Sequence, residues 1–183
     1  KTGAWKQIIG KQLSSLTVGV MGCGHVGSEF VKLLSGFSCS VLVFDKRDVT
    51  AFCSANGAEQ VGLDDMLSLS DLISIHLPRD ASTESLLSRE VVERLKFGSY
   101  IVNTARGGLL DESYLYECLN NGKLSGVALD VLSVEPPADS LLINHPNCFV
   151  TSHIGGSSEE AIISMGLAAI EGLQINQLAS DFF

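Results

Sequence analysis

Arg106, Glu135 and His153 are ionisable residues that each follow a separate apolar run. Arg106 comes after Asn103-Thr104-Ala105 and before Gly107-Gly108. A guanidinium at the end of a buried strand is costly unless an anion pairs with it. It is therefore either a surface cation at an ordinary loop or a ligand waiting for an anion in a cleft. A histidine transfers protons near neutral pH. A glutamate beside it favours the imidazolium form and fixes the ring's orientation. An arginine can hold a carboxylate through two parallel hydrogen bonds and polarise a neighbouring carbonyl. Brought together, the three suit hydride transfer between a nicotinamide and a 2-keto or 2-hydroxy acid. Taken singly they have plainer readings: Glu135 before Pro136-Pro137 as a loop surface residue, and His153 before Ile154-Gly155-Gly156 as a turn cap.

A second constellation lies nearer the amino end. Gly22-Cys23-Gly24-His25-Val26-Gly27 is a G-x-G-x-x-G turn. The pattern is weak by itself, but here it follows a strand-like run and opens a helical one, the context in which it cradles a pyrophosphate. Gly22 permits the tight turn, Gly24 lets the backbone approach the phosphates, and Gly27 lets the helix pack closely on its strand. The helix start adds N–H donors and the positive end of its dipole. His25 either touches a phosphate or faces solvent, its backbone N–H being the useful part. Asp45 ends the next apolar run, 18 residues beyond Gly27, where an acid binds the adenosine ribose hydroxyls. A glycine-rich structural turn is the plain alternative. Because a carboxylate repels a 2′-phosphate, Asp45 predicts NAD over NADP. Lys46 and Arg47 follow it and weaken that inference, the plainer reading of the two being a solvated surface pair. His76, before Leu77-Pro78, lines the cofactor cleft or merely closes its strand. His145, in Asn144-His145-Pro146-Asn147, reads as turn chemistry.

The elements that must position these groups are visible as alternating patterns. Strand-like runs occur at 16–21, 40–44, 72–76, 100–104, 127–131 and 148–151. Helical patterns occur at 26–34 and 64–69, and another begins at Ser88 with Glu90 and Glu93 in its first turns. Asp111 caps a helix through Asn121 that Gly122 ends. Ser157 and Glu160 have capping-box spacing for a last helix reaching about Leu178. Alternating strands and helices, with strands apolar on both faces, predict an α/β fold. It is a Rossmann-type, doubly wound parallel sheet of seven strands in a single domain, covered on both sides. Function in such sheets sits at the carboxyl ends of the strands, where all the residues above fall.

Composition narrows the classes. A chain of 183 residues with 45% hydrophobic content supports one sizeable core. A net charge of −9 argues against nucleic acid as a partner. No apolar run reaches the roughly 18 residues of a membrane helix. The five cysteines, Cys23, Cys39, Cys53, Cys118 and Cys148, include no C-x-x-C pair. They carry no metal-ligand or redox spacing and are read as reduced residues in a cytoplasmic setting.

The motifs also carry a resemblance. The segments Thr17 to Gly27, His76-Leu77-Pro78, Val102-Asn103-Thr104-Ala105-Arg106-Gly107, Ala128-Leu129-Asp130-Val131, Glu135-Pro136 and Thr151-Ser152-His153-Ile154-Gly155-Gly156 follow one another in the order of the NAD-binding domain of D-isomer-specific 2-hydroxyacid dehydrogenases, which the chain resembles. The resemblance implies that Arg106 binds the substrate carboxylate and carbonyl, that His153 is the acid/base, and that Glu135 pairs with it. It implies that Asp130 contacts the nicotinamide carboxamide, as does backbone near Thr104. It further implies a cofactor surface of Gly22, Gly24, His25, Val26, Gly27, Asp45, His76, Pro78, Thr83, Thr104, Ala105, Arg106, Asp130, His153, Gly155 and Gly156. NAD is the implied cofactor, a small 2-keto or 2-hydroxy acid the implied substrate, and a homodimer through this domain the implied assembly. The chain departs from the family pattern at Ser152, where proline is usual, and at Asp80, where threonine is frequent; Asp80 puts one cofactor contact in doubt. The family wraps a substrate domain around this one. Here residues 1–183 are expected to be the dinucleotide-binding domain, with 1–15 as a junction segment and the substrate domain absent. Three rivals remain: a non-catalytic NAD-sensing, corepressor-like module, formate oxidation, which in the related enzyme uses glutamine at the position of Glu135, and phosphite oxidation.

Overall fold

The structure is a computed structural model that describes residues 7, 9–84, 86–137 and 140–175. The expected junction around Gly3-Ala4-Trp5 and the helix end near Leu178 lie outside the described residues.

Strand β1 (Thr17–Met21) puts Val18 and Val20 on one face and Gly19 and Met21 on the other, all buried. It pairs in parallel with β2 (Ser40–Phe44) on one side and β4 (Leu72–Ile75) on the other. With β3 (Glu59–Gln60), β5 (Ser99–Asn103), β6 (Leu124–Leu129) and β7 (Cys148–Val150), the sheet runs β3-β2-β1-β4-β5-β6-β7, every pair parallel. Strand order reverses between β1 and β4, the switch point at which a doubly wound sheet opens its crevice. The two-residue β3 has no sequence signal: a pair of polar residues shows no alternation, and only edge pairing makes it a strand.

Helix α1 (His25–Leu34) buries Val31 and Leu34, one turn apart, against Val18, Val20, Val41 and Val43. Helix α2 (Thr50–Ala55), missed in the sequence because six residues are too few to show a helical period, adds Cys53 to that layer. On the opposite face Met66 and Leu67 of α3 (Leu63–Leu69), Val92 of α4 (Arg89–Glu93), and Leu115 and Cys118 of α5 (Glu112–Asn121) pack on Ile73, Ile75 and Ile101. Each such side chain contributes about 1.5–3 kcal/mol when fully buried. Asp111 caps α5 by accepting the Tyr114 N–H (3.1 Å), and Gly122 ends it at φ 79°, as the sequence predicts.

Two expectations need correction. The last helix, α6 (Glu159–Ile175), is capped by Ser158, whose Oγ accepts the Ala161 N–H (3.1 Å), because the Gly155-Gly156 turn carries the chain one residue further before it winds. And among the described residues the sheet, flanked by helices on both faces as expected, is not covered equally. Register puts Tyr100, Val102, Ala128 and Phe149 on the α1 face, and there Tyr100, Val102 and Ala128 are half-buried and Phe149 is 69% exposed. The two flanking helices of that face lie over β1 and β2, and α6 leaves Ile162, Ile163, Met165, Leu167 and Ile170 exposed.

Candidate active site

The glycine turn sits at the carboxyl end of β1, and its three glycines differ in surroundings. Gly22 has φ 95°, and a Cβ there would lie 2.7 Å from the His76 carbonyl oxygen. A Cβ on Gly27 would lie 2.0 Å from the Gly22 carbonyl oxygen, so helix and turn touch through backbone alone. A Cβ on Gly24 would meet nothing within 4 Å. That open cradle faces the start of α1, which has no side-chain cap, so its first N–H groups are free for an anion. His25 and Val26 are exposed at its edge. These are the features a pyrophosphate needs, and the turn fits the dinucleotide expected from the sequence.

Asp45 follows β2, and its side chain is 7% exposed. It accepts the Cys23 N–H (2.7 Å), so it fastens the turn to the end of β2. Arg47 is no solvated bystander. Its Nε and Nη2 both reach the Asp45 carboxylate at 3.0 Å, and Nη2 also donates to the Cys23 carbonyl (2.9 Å). Burial pushes the Asp45 carboxyl up, but the hydrogen bonds from Arg47 and the Cys23 N–H outweigh it and bring the carboxyl down to about 2. Sequence spacing could not reveal this fork, because it depends on how the chain turns after β2. Lys46 is exposed, as read from the sequence.

The His76 backbone is packed against the glycine turn, its N–H donating to the Met21 carbonyl (2.8 Å). Its Nε2 pairs with the Ser74 Oγ (2.9 Å) and its ring lies 5.1 Å from that of Phe30, under α1. Burial pushes its imidazole down from the ordinary value. Pro78 is exposed, and Thr83 is tied into the following turn, donating to the Pro78 carbonyl (2.6 Å) and accepting the Asp80 N–H (2.9 Å). Asp80 accepts the Ser82 N–H (2.7 Å), so it serves that turn too.

At the other side of the switch point the ends of β5, β6 and β7 are adjacent. Asn103 ends β5 and is 1% exposed. Its amide oxygen accepts the Ala105 N–H (3.0 Å) and its nitrogen donates to the Arg106 carbonyl (2.9 Å). This clamp on the Thr104–Arg106 loop is a functional feature the sequence reading passed over. Its signal is a buried-strand position occupied by an amide. Arg106 itself is exposed, donates to the Ala105 carbonyl (2.6 Å), and is in no ion pair among the described residues. Gly107 presses on the next strand's loop: a Cβ there would lie 2.0 Å from the Leu132 carbonyl oxygen. The Leu132 N–H in turn donates to Glu135 Oε1 (2.9 Å).

Glu135 Oε2 lies 2.7 Å from His153 Nδ1. An ionised carboxylate only accepts, so Nδ1 carries the hydrogen and Nε2 points elsewhere. The bonds from His153 and from the Leu132 N–H hold the Glu135 carboxyl below its ordinary value. His153 is 53% exposed by side chain and has φ 56°, a left-handed conformation uncommon outside glycine. Asp130, 7% exposed, holds it there. Its carbonyl accepts the His153 N–H (2.9 Å), and its carboxylate accepts Thr151 Oγ1–H (2.5 Å), Ile154 N–H (2.8 Å) and Gly155 N–H (2.8 Å). Burial raises the Asp130 carboxyl, but these donors win and lower it. Gly155 and Gly156 are exposed beyond the ring, and Thr104 is exposed beside Ala105.

Comparison with known proteins gives a consistent result. Residues 1–155 match the family model described as D-isomer specific 2-hydroxyacid dehydrogenase, NAD binding domain. The chain is 38% identical to a D-3-phosphoglycerate dehydrogenase of Archaeoglobus fulgidus, over 94% of this chain and 33% of that protein. It is 38% identical to a hydroxypyruvate reductase of Thermotoga maritima, over 93% of this chain and 56% of that one. The fold superposes on a glyoxylate reductase from Paecilomyes thermophila with a TM-score of 0.86 and 31% identity, covering 92% of this chain and 51% of the other. The chain thus spans between a third and somewhat over half of these relatives.

Proposed function

The chain belongs to the D-isomer specific 2-hydroxyacid dehydrogenase family, matching its NAD binding domain, and from that premise we propose that it serves an NAD-dependent oxidoreductase acting at C2 of a small D-2-hydroxy or 2-keto acid. The observation that carries this reading is the Glu135–His153 pair at 2.7 Å, borne by the segments that follow β6 and β7, while the segment after the neighbouring β5 bears an arginine with no carboxylate partner among the described residues. Bound NAD supplies the hydride chemistry. His153 supplies the proton: with Nδ1 engaged by Glu135, Nε2 is left to protonate the oxygen of a ketone being reduced, or to take the hydroxyl proton in the reverse direction. Glu135 remains ionised and keeps the ring in one tautomer. Arg106 turns its remaining N–H groups to the substrate carboxylate and polarises the adjacent carbonyl. Asp130 keeps the His153 loop in its left-handed turn and presents one remaining acceptor site towards the nicotinamide side. Gly22, Gly24 and Gly27 hold the pyrophosphate, and Asp45 the adenosine ribose.

Residues 1–183 act in this reading as the dinucleotide-binding domain of a cytoplasmic protein. A homodimer through this domain is supported by the apolar side chains exposed on α6 and by Phe149, and sedimentation velocity measures it. The test of function is NADH oxidation with a panel of 2-keto acids: glyoxylate, hydroxypyruvate, pyruvate, and the ketone formed by oxidising D-3-phosphoglycerate at C2. The panel is run on a protein carrying this domain together with a substrate-binding domain. Turnover of at least one member is expected. NAD binding with no turnover of any would support the non-catalytic, NAD-sensing reading instead.

A further inference from the structure

The corner at the end of β2 is filled in a way that bears on which dinucleotide it takes. Asp45 Oδ1 accepts the Arg47 backbone N–H (2.9 Å) and Nε–H (3.0 Å), and Oδ2 accepts the Cys23 N–H (2.7 Å) and Arg47 Nη2–H (3.0 Å). A carboxylate has about four lone-pair sites, so all are in use. A ribose hydroxyl that is to donate to Asp45 must displace one donor. Two of the four are backbone groups. One, the Cys23 N–H, belongs to the glycine turn; the other, the Arg47 N–H, belongs to a loop pinned by Gln60, whose Nε2 donates to the Arg47 carbonyl (2.7 Å) and whose Oε1 accepts the Val49 N–H (2.8 Å) and Thr50 Oγ1–H (3.1 Å). The movable donor is the Arg47 guanidinium, on a flexible stem with its side chain 58% exposed. The guanidinium can swing into solvent and recover hydration there, whereas neither backbone donor can leave without moving its loop or turn.

Once displaced, that guanidinium stays tethered beside the ribose. A 2′-phosphate there would give it a dianion to fork, while Asp45 keeps its two backbone donors. The repulsion expected between Asp45 and a 2′-phosphate is thus offset by a cation belonging to the same corner. We propose that Arg47 is the specificity-determining residue of the ribose site and that it admits NADP as well as NAD. This rests on the reading that the Gly22–Gly27 turn holds a dinucleotide.

Calorimetric titration of the chain with NAD and with NADP tests it, using the wild type, Arg47→Ala and Lys46→Ala. The wild type is expected to bind both. Arg47→Ala should raise the NADP Kd by about tenfold or more relative to the NAD Kd, the loss of a charge-assisted pair. Lys46→Ala should move the ratio by less than about threefold, as a charge with no partner in the corner. Arg47→Lys keeps the charge without the fork and should fall between wild type and alanine; it carries the test if the alanine variant fails to fold. An NADP-to-NAD ratio that Arg47→Ala leaves unchanged overturns the proposal, as does a wild type that binds NAD and not NADP, or an equal shift in Lys46→Ala. A wild type that binds neither dinucleotide would instead sink the parent reading along with this one.

Discussion

At the end of β1 and β2 the protein meets its own polar groups: Asp45 is closed off by Arg47 and the Cys23 N–H, and Gly22 and Gly27 touch neighbouring backbone. At the ends of β5, β6 and β7 the supporting residues are just as well satisfied, with Asn103 and Asp130 buried and bonded, yet the groups they support are left open. Arg106 and His153 both reach solvent. On the proposed function, the first corner is a surface for a dinucleotide to lie on and the second a set of side chains left open to substrate. A binding surface can be complete in the free chain, because backbone donors cost little to leave hydrated. A proton-transfer site has to keep its reactive atoms unpaired until substrate arrives.

The contrast breaks most visibly at His153. Replacing it with Gln should lower keto-acid turnover by about 10²–10⁴-fold, the usual contribution of a general acid. The NAD Kd should stay within a few-fold, since the phosphate turn is untouched. Steady-state kinetics and titration of the same variant check both, and a collapse of NAD affinity would mean that the two corners are one unit. The openness of the second corner also sets an expectation for residues 1–183 alone. Without a wall to exclude water and hold the substrate, they should bind NAD but reduce 2-keto acids well below the usual range of about 1–10³ s⁻¹.

Within the first corner the glycines should separate. Gly27→Ala forces a Cβ onto the Gly22 carbonyl and is expected to cost about 1–3 kcal/mol of stability. Gly24→Ala enters open space and should leave stability within about 0.5 kcal/mol while weakening NAD, because its Cβ occupies the cradle. Denaturant melts and NAD titrations of the pair sharpen the distinction; equal stability losses would contradict it.

Asp45 gives a pH signature. Its folded carboxyl lies at about 2 against an ordinary 3.8, so its contribution is fully present above the ordinary value and is lost as pH falls through the folded one. The shift corresponds to about 2 kcal/mol. Asp45→Asn should therefore be less stable than wild type by about that much at pH 7, and the gap should narrow between about pH 4 and pH 2 in urea titrations. The smallest expected effect concerns Glu135. Its carboxyl is held below 4.5, first by the bond from His153. The pairing should be complete above 4.5 and fade as pH falls below it, and carboxyl-carbon NMR should find Glu135 titrating closer to its ordinary value in His153→Gln. An unmoved titration would mean that the pairing is not electrostatic.

The legible parts were those where local pattern and chemistry agree. The alternation of apolar runs and helical patterns led to the parallel α/β sheet, and Asp111 and Gly122 marked α5 at both ends. Strand β3 and helix α2 were not legible, since two polar residues and one short turn of helix become elements only when β2 stands beside them. The cap of α6 was misplaced by one residue because two adjacent serines are equivalent until the Gly155-Gly156 turn is formed. In the site, Arg106, Glu135 and His153 could be named from type, position after strands and resemblance. Asn103 offered only an amide at a buried strand end; what it bonds, two backbone groups of a loop, depends on a loop shape that is not in the sequence.

Residue order alone determined that a glycine turn, an acid after β2 and three ionisable groups would fall at strand ends, because period and turn chemistry are local properties. Tertiary structure decided what those groups meet. It laid Arg47 across Asp45, turned the His76 ring under α1, spent the Asp130 carboxylate on the His153 loop and set Glu135 against His153. Those outcomes depend on how the segments after β2, β4, β6 and β7 lie against one another in space, and hydrogen-bond geometry of a few tenths of an ångström is fixed only there.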